Sequence, residues 1–270
     1  MISFENVIYV YNLGLECEKK ALDNINIKID GNKIIGLIGK SGAGKSTFVQ
    51  HFNGLLKPTS GKILLDKKKV GLVFQYPENQ MFEMTVEEEI GFGIKNYKYE
   101  SKINEIIKVL NYVGLDASYL KRSPFDLSGG EKRKVALASI LIIKPEILIL
   151  DEPTVGLDLK SQKEILNNIK ELKEKFNMTV IIVSHDMNVI SEMAEQVIFM
   201  RNGKIVFCGD TYRVFELNDF DLELPFTKRL AKNLIKKDFL VPQNIIKFDD
   251  LVRYIAKMLK EKKIDSRKIL

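Results

Sequence analysis

Four short runs of the chain have continuous apolar centres: KIIGLIG (33–39), KVGLVFQ (69–75), EILILDE (146–152) and TVIIVSH (179–185). Unbroken rather than alternating hydrophobicity marks strands buried on both faces, and so predicts a parallel sheet layered between helices. Each run stops at glycine or a polar residue: Gly39, Gln75, Asp151 with Glu152, and His185. In open α/β sheets ligands collect at the carboxyl ends of the strands, so these residues are expected to meet in one crevice.

Between Gln75 and Pro145 the period becomes helical. In SKINEIIKVLNYVGL, Ile103, Ile106, Ile107 and Leu110 share one helix face, as expected of a helical subdomain inserted at about 77–145. Beyond about residue 216 lies a helical extension running to 270. PFTKRLAKNLIKK opens with Pro225 at a first turn and aligns Phe226, Leu230 and Leu234. FDDLVRYIAKMLKEKK aligns Phe248, Leu251, Val252, Ile255 and Leu259. Basic outer faces would also suit a lipid surface, but stripes this narrow are expected to pack on protein.

Composition narrows the partners. The 270 residues are 45% hydrophobic and 29% charged, which suits a globular chain with a substantial core and argues against disorder. Cys17 and Cys208 are far apart, so neither a disulfide framework nor a zinc site is expected, and a reducing compartment is. The most apolar stretch, SILIIKPEILIL, is cut by Lys144, Pro145 and Glu146, and MISFENVIYV does not read as a secretory leader. A membrane role would therefore belong to a partner. The net charge of +6 comes from dispersed lysines without an aromatic-interleaved stripe, so nucleic acid is not an expected partner.

The first strand ending, GKSGAGKST (39–47), fits the phosphate-cradle pattern Gly-x4-Gly-Lys-Ser/Thr. Gly39, Gly42 and Gly44 let backbone N–H groups, with Lys40, Ser41 and Ala43 between them, curl around a polyphosphate. Lys45 would neutralise β- and γ-phosphates, and the Ser46 hydroxyl, followed by Thr47, would ligate Mg²⁺. Asp151 suits the same cation and Glu152 an attacking water, although an acidic pair at a strand end also serves as a helix cap. Gln75 could reach metal and water, and His185 a γ-phosphate, although each also reads singly as a satisfied polar group. A second anion site is expected where Ser128, Gly129 and Gly130 open the helix of SPFDLSGGEKRKVALASIL.

Taken together, GKSGAGKST, Gln75, LSGGEKRKVALA, ILILDEP, TVGLD and VSHD occur in an order that resembles the ATP-binding cassette (ABC) family, over about residues 3–215. The resemblance implies an α/β P-loop NTPase with a RecA-like core, a small antiparallel β-subdomain, the inserted helical signature subdomain and a short helical tail. The cassette would span 1–215 and the extension 216–270. It also implies an ATP hydrolase using ATP and Mg²⁺ that works as a dimer of cassettes. Ser128 and Gly130, with Gly129, would then touch the γ-phosphate held by the partner's cradle, Asp158 would sit at the seam, and Tyr11 would stack on adenine. Tyr9, on the same strand face, is the other candidate, and either could be a core tyrosine instead.

HFNGLLKPTSGKI, VFQYPENQMFEMTVEEEIGFG and the tail are more specifically similar to ATP-binding subunits of energy-coupling factor (ECF) transporters, importers of vitamins and transition-metal ions. That implies a second ABC ATPase subunit, identical or a sister, an integral membrane coupling subunit gripped by Pro77, Glu78, Gln80 and Phe82, and a substrate-binding membrane subunit. The chain would lie on the cytoplasmic face of the membrane. Glu131 stands where Gln is common, Glu89 where Asp is usual and Leu159 where Pro often follows Asp158, and the short Gly61–Gln75 stretch implies a trimmed β-subdomain. ATPases of other ABC transporters and soluble non-transport ABC ATPases share the chemistry. A small-molecule kinase would leave the signature, Gln75 and His185 without a purpose.

Overall fold

The computed structural model describes residues 2–65, 68–76, 81–95, 98–217, 222–242 and 244–262. Pro77, Glu78 and Gln80, expected to grip a membrane partner, lie outside the described residues. The first half of the chain runs β1 (Ile2–Tyr11), β2 (Lys19–Ile29), β3 (Ile34–Ile38), α1 (Lys45–Gln50), β4 (Ser60–Leu64) and β5 (Val70–Val73). It continues through α2 (Val86–Gly91), α3 (Tyr99–Tyr112) and α4 (Gly129–Leu141). Then follow β6 (Ile147–Asp151), α5 (Leu159–Phe176), β7 (Thr179–Val183), α6 (Met187–Met193), β8 (Gln196–Arg201), β9 (Lys204–Asp210) and α7 (Thr211–Val214). The tail contributes α8 (Phe226–Lys236) and α9 (Phe248–Lys262).

The four apolar runs become β3, β5, β6 and β7, adjacent in a six-stranded sheet of order β5-β6-β7-β3-β8-β9. These four and β8 are parallel, whereas β9 closes the edge antiparallel to β8. Successive side chains on a strand face opposite ways, so each run feeds two cores. Ile35, Leu37, Ile147, Ile149, Ile181 and Val183 join α1 and the β1–β2 side. Ile34, Ile38, Leu148, Leu150, Val180 and Ile182 join α5, α6 and the helical segment. Because both faces are covered, neither tolerates polar alternation.

A second sheet, β2-β1-β4, is antiparallel and three-stranded. Its β2 alternates instead, burying Leu22, Ile25, Ile27 and Ile29. Phe48 and Phe52 on and just after α1 meet Phe4 of β1 at ring-centroid distances of 4.8 and 5.0 Å. This aromatic wedge locks α1, and the loop before it, between the two sheets.

In the helical segment, Ile106 and Leu110 of α3 are fully buried while Ile103 and Ile107 are half-buried. Glu89 of α2 is buried, its Oε2 accepting from the backbone N–H groups of Phe82 (3.1 Å) and Glu83 (3.0 Å). That contact shapes a turn on which Phe82 and Met84 stay exposed.

The tail helices form where the apolar period places them, but their stripes are only partly used. Leu234 of α8 and Leu251 of α9 close a small core with Ala231 and Val241, whereas Phe226, Phe248 and Val252 remain exposed. Two short helices packed on each other cannot cover the full width of both stripes. The tail is tied back by the Phe226 N–H donating to Asn188 Oδ1 of α6 at 2.7 Å.

Candidate functional site

The loop from β3 into α1 is shaped by its glycines. Gly42 and Gly44 have φ of 78° and 99°, and a Cβ at Gly39 or Gly44 would lie 2.3 Å from Met200 O or 2.6 Å from Ala21 O. Only glycine lets the chain turn here under the neighbouring strands. Lys45 Nζ folds back to donate to Gly39 O (2.7 Å) and Lys40 O (3.2 Å). Above it lies a hollow of about 240 Å³ bordered by Tyr11, Lys19, Ser41, Gly42, Ser46 and Thr47. The buried Ala43 anchors the turn from below. Tyr11 stands at the hollow with its hydroxyl 3.1 Å from Thr47 Oγ1, whereas Tyr9 packs edge-on against His51 with ring centroids 4.9 Å apart.

Charge converges on the same strand ends. Burial pulls Lys45 below the usual lysine value, opposed by the charges of Glu152 and Asp151. Burial, then the Glu152 charge, pushes Asp151 above the usual carboxylate value, opposed by Lys45. An aspartate whose charge is costly here is a receptive partner for a cation. Its carboxylate and the Ser46 hydroxyl of the cradle are hard oxygens of the kind Mg²⁺ prefers. The residues present therefore fit a polyphosphate bound with magnesium.

Glu152 turns sharply off β6 with a left-handed φ of 49°, unusual for a residue bearing Cβ. Its N–H donates to Val183 O at 2.8 Å. Its carboxylate is held at the end of β7: Oε1 accepts from the His185 N–H (3.0 Å) and lies 2.7 Å from His185 Nδ1, while Oε2 accepts from Ser184 Oγ (3.2 Å).

The signature residues stand elsewhere. Ser128 caps α4 in a capping box with Glu131, its Oγ donating to Glu131 Oε2 at 2.7 Å. Tyr119 donates to the other Glu131 oxygen at 2.6 Å, and the Tyr119 and Ser128 hydrogen bonds hold the carboxyl at about 2. Ser128 and Gly130 border a separate hollow of about 130 Å³ with Lys134, Leu157 and Ser161. Asp158 caps α5, accepting from Lys160 N–H, Ser161 N–H and Ser161 Oγ, which lowers its pKa. Leu159 beside it is 83% exposed.

The chain thus gathers the cradle, Tyr11, Asp151, Glu152 and His185, while Ser128, Gly130 and Leu157, next to Asp158, share a different hollow. Gln75, after β5, borders a small void beside Arg133 and Pro153. The structure adds residues beyond those the motifs name: Lys19 at the cradle, Ser184 on Glu152, Tyr119 on Glu131, and Arg133, which donates to the Pro153 and Val155 carbonyls. Ser184 was findable, being one residue before His185. The others depend on long-range packing.

A parallel sheet with a glycine-shaped phosphate cradle and an acidic pair on the next strand but one defines a P-loop nucleoside-triphosphate-binding protein. The family model described as ABC transporter matches residues 22–155. Energy-coupling factor transporter ATP-binding protein EcfA2 of Clostridium tetani is 44% identical over 97% of this chain and 98% of its own length. The protein of that name from Acetivibrio thermocellus is 42% identical over 95% and 99%. Among solved structures, cbiO1 from Clostridium perfringens, part of the ABC transporter complex cbiONQ, superposes with a TM-score of 0.74 at 31% identity, covering 87% of this chain and 96% of that one. A dimeric ATP-binding cassette, MJ0796, in a post-hydrolysis state bound to ADP and Pi, gives 0.70 at 29% identity, covering 78% and 99%. The chain belongs to the energy-coupling factor transporter ATP-binding proteins of the ABC transporter family.

Proposed function

We propose that this chain is the ATP-hydrolysing subunit of an ECF-type importer, closing with a second ABC ATPase around two Mg-ATP. Residues 1–215 act as the cassette, with the helical subdomain at about 77–145, and 216–270 as the extension. The observation that carries the composite site is at the signature. A Cβ at Gly129 or Gly130 would meet nothing within 4 Å, and neither has a positive φ, so nothing among the described residues demands glycine there. The capping box takes up the Ser128 and Glu131 N–H groups, and the Gly129 and Gly130 N–H groups between them, at the start of a 13-residue helix, suit a phosphate brought by another molecule. The exposed Leu159 beside Asp158 supports the same seam.

In this reading Gly39–Thr47 cradle the phosphates, Lys45 leaves its own carbonyls to neutralise them, and Tyr11 stacks on adenine. Ser46, Asp151 and Gln75 would hold Mg²⁺, which supplies charge neutralisation at the γ-phosphate. Glu152 polarises the attacking water and His185 contacts the γ-phosphate. Ser128, Gly129, Gly130 and Asp158 complete the site of the opposing subunit.

Among the described residues no helix is long and apolar enough to cross a membrane, so transport needs integral partners. The exposed Phe82, Met84 and Phe92, with Phe82 and Phe92 edge-to-face at 5.0 Å, support docking of a coupling subunit's helix on the cytoplasmic side. A substrate-binding membrane subunit would then select the vitamin or metal ion. Affinity purification of the full chain from native membranes should bring down a cassette and integral proteins identifiable by mass. Recovery with ribosomes or as a lone soluble protein would reject the importer reading.

A further inference from the structure

Arg133 lies five residues past Ser128 on α4, on a side where little water reaches: it is 8% exposed. Its guanidinium leaves its own helix, Nη1 donating to Pro153 O at 2.5 Å and Nη2 to Val155 O. Both carbonyls belong to the loop between Glu152 and Asp158. Burying a guanidinium is unfavourable unless its N–H groups are satisfied, so an apolar side chain would serve better if α4 needed only to pack. What arginine adds is a rigid fork that fixes two backbone positions at once. Arg133 also borders, with Gln75, Leu137, Leu150 and Pro153, a void of about 20 Å³. The guanidinium thus stands between the Gln75 segment, the Glu152 loop and the helix opened by Ser128.

We propose that Arg133 is a positioning residue that couples the two halves of the composite site. Engagement of Ser128–Gly130 by nucleotide on the opposing subunit displaces α4, and Arg133 carries that displacement through the Pro153 and Val155 carbonyls to the loop of Glu152. The proposal rests on the composite-site reading. Glu152 is sensitive to such a displacement because its left-handed backbone is over-determined by its neighbours, Pro153 being the next residue. A purely architectural Arg133 would hold α4 in place, and its loss would weaken ATP capture and turnover together.

The test uses the complex purified from membranes, carrying Arg133→Met, which keeps length but loses the fork, or Arg133→Lys, which keeps charge with a single donor group. Arg133→Met is expected to lower kcat about ten- to hundredfold, the order lost when a catalytic group is misplaced by about 1 Å, with KM for ATP nearly unchanged. Arg133→Lys is expected to lie between. In a Glu152→Gln background, Arg133→Met should still retain radiolabelled ATP through gel filtration, because closure precedes the step that Arg133 serves. Unchanged kcat, parallel loss of kcat and ATP affinity, or loss of retention in the double variant alone would overturn the proposal. Failure of Glu152→Gln itself to retain ATP would instead overturn the composite site, and the coupling role with it. If Arg133→Met does not fold, Arg133→Lys decides: a fall in kcat at wild-type KM and melting temperature supports the role, and wild-type kcat ends it.

Discussion

Glu152 Oε1 lies 2.7 Å from His185 Nδ1, joining the ends of β6 and β7 across 33 residues of sequence. The contact occupies Nδ1, so Nε2 is the ring nitrogen left to face a ligand. The side chain of His185 is 71% exposed and that of Glu152 11%, so the pair has a sheltered carboxylate and an accessible outer arm. With Ser184 and the His185 N–H also on the carboxylate, Glu152 is held in one orientation by the end of β7.

Glu152→Gln keeps this shape but removes the carboxylate that we propose acts as the base. Phosphate release by the complex should fall about 10²- to 10⁴-fold, while ATP binding persists and unhydrolysed ATP accumulates in the closed pair. Turnover within about twofold of wild type would remove the catalytic role assigned to Glu152.

Ser128→Arg removes the capping-box hydroxyl and places a bulky cation at the start of α4, where glycine neighbours leave room but an opposing nucleotide would not. Equilibrium binding of a fluorescent ATP analogue to the isolated chain should change little, because the cradle is a separate hollow. Hydrolysis by the assembled pair should be abolished. Lost binding in the isolated chain would mean that Ser128 contacts nucleotide held by its own cradle.

His51 supplies a pH dependence. It is 2% exposed, with Nδ1 2.7 Å from Thr47 O and Nε2 without a hydrogen-bond partner among the described residues. Burial holds its pKa below the ordinary histidine value, the Thr47 contact opposing. A depressed folded pKa means that the unfolded chain binds the proton more readily. Stability is therefore full above the unfolded value of about 6.5 and is lost as pH falls from there through the folded value. Thermal melts between pH 7.5 and 5 should show the wild type losing more stability than His51→Leu. Parallel slopes would show that His51 does not carry this acid sensitivity.

The strands were legible because a two-faced burial environment favours unbroken apolar residues, as in Ile34–Ile38 and residues 180–183, each buried throughout. The cradle was legible because its chemistry is backbone chemistry, and Gly39, Gly42 and Gly44 advertise the turn locally. The tail was less so. The stripes of α8 and α9 predicted helices but not that Phe248 and Val252 would stay exposed, since periodicity describes one helix and not the area its neighbour can cover.

Local sequence was enough for the order of the motifs, the four apolar strands and the glycine turn, because each depends on residues within a few positions of one another. Other features required the folded chain. Tyr11 rather than Tyr9 faces the cradle, Ser184 and His185 hold Glu152, and Arg133 joins α4 to the loop after β6. These contacts unite segments 20 to 36 residues apart, and no periodicity within either segment encodes the other. Sheet order brings them together, and burial makes each polar group find its partner.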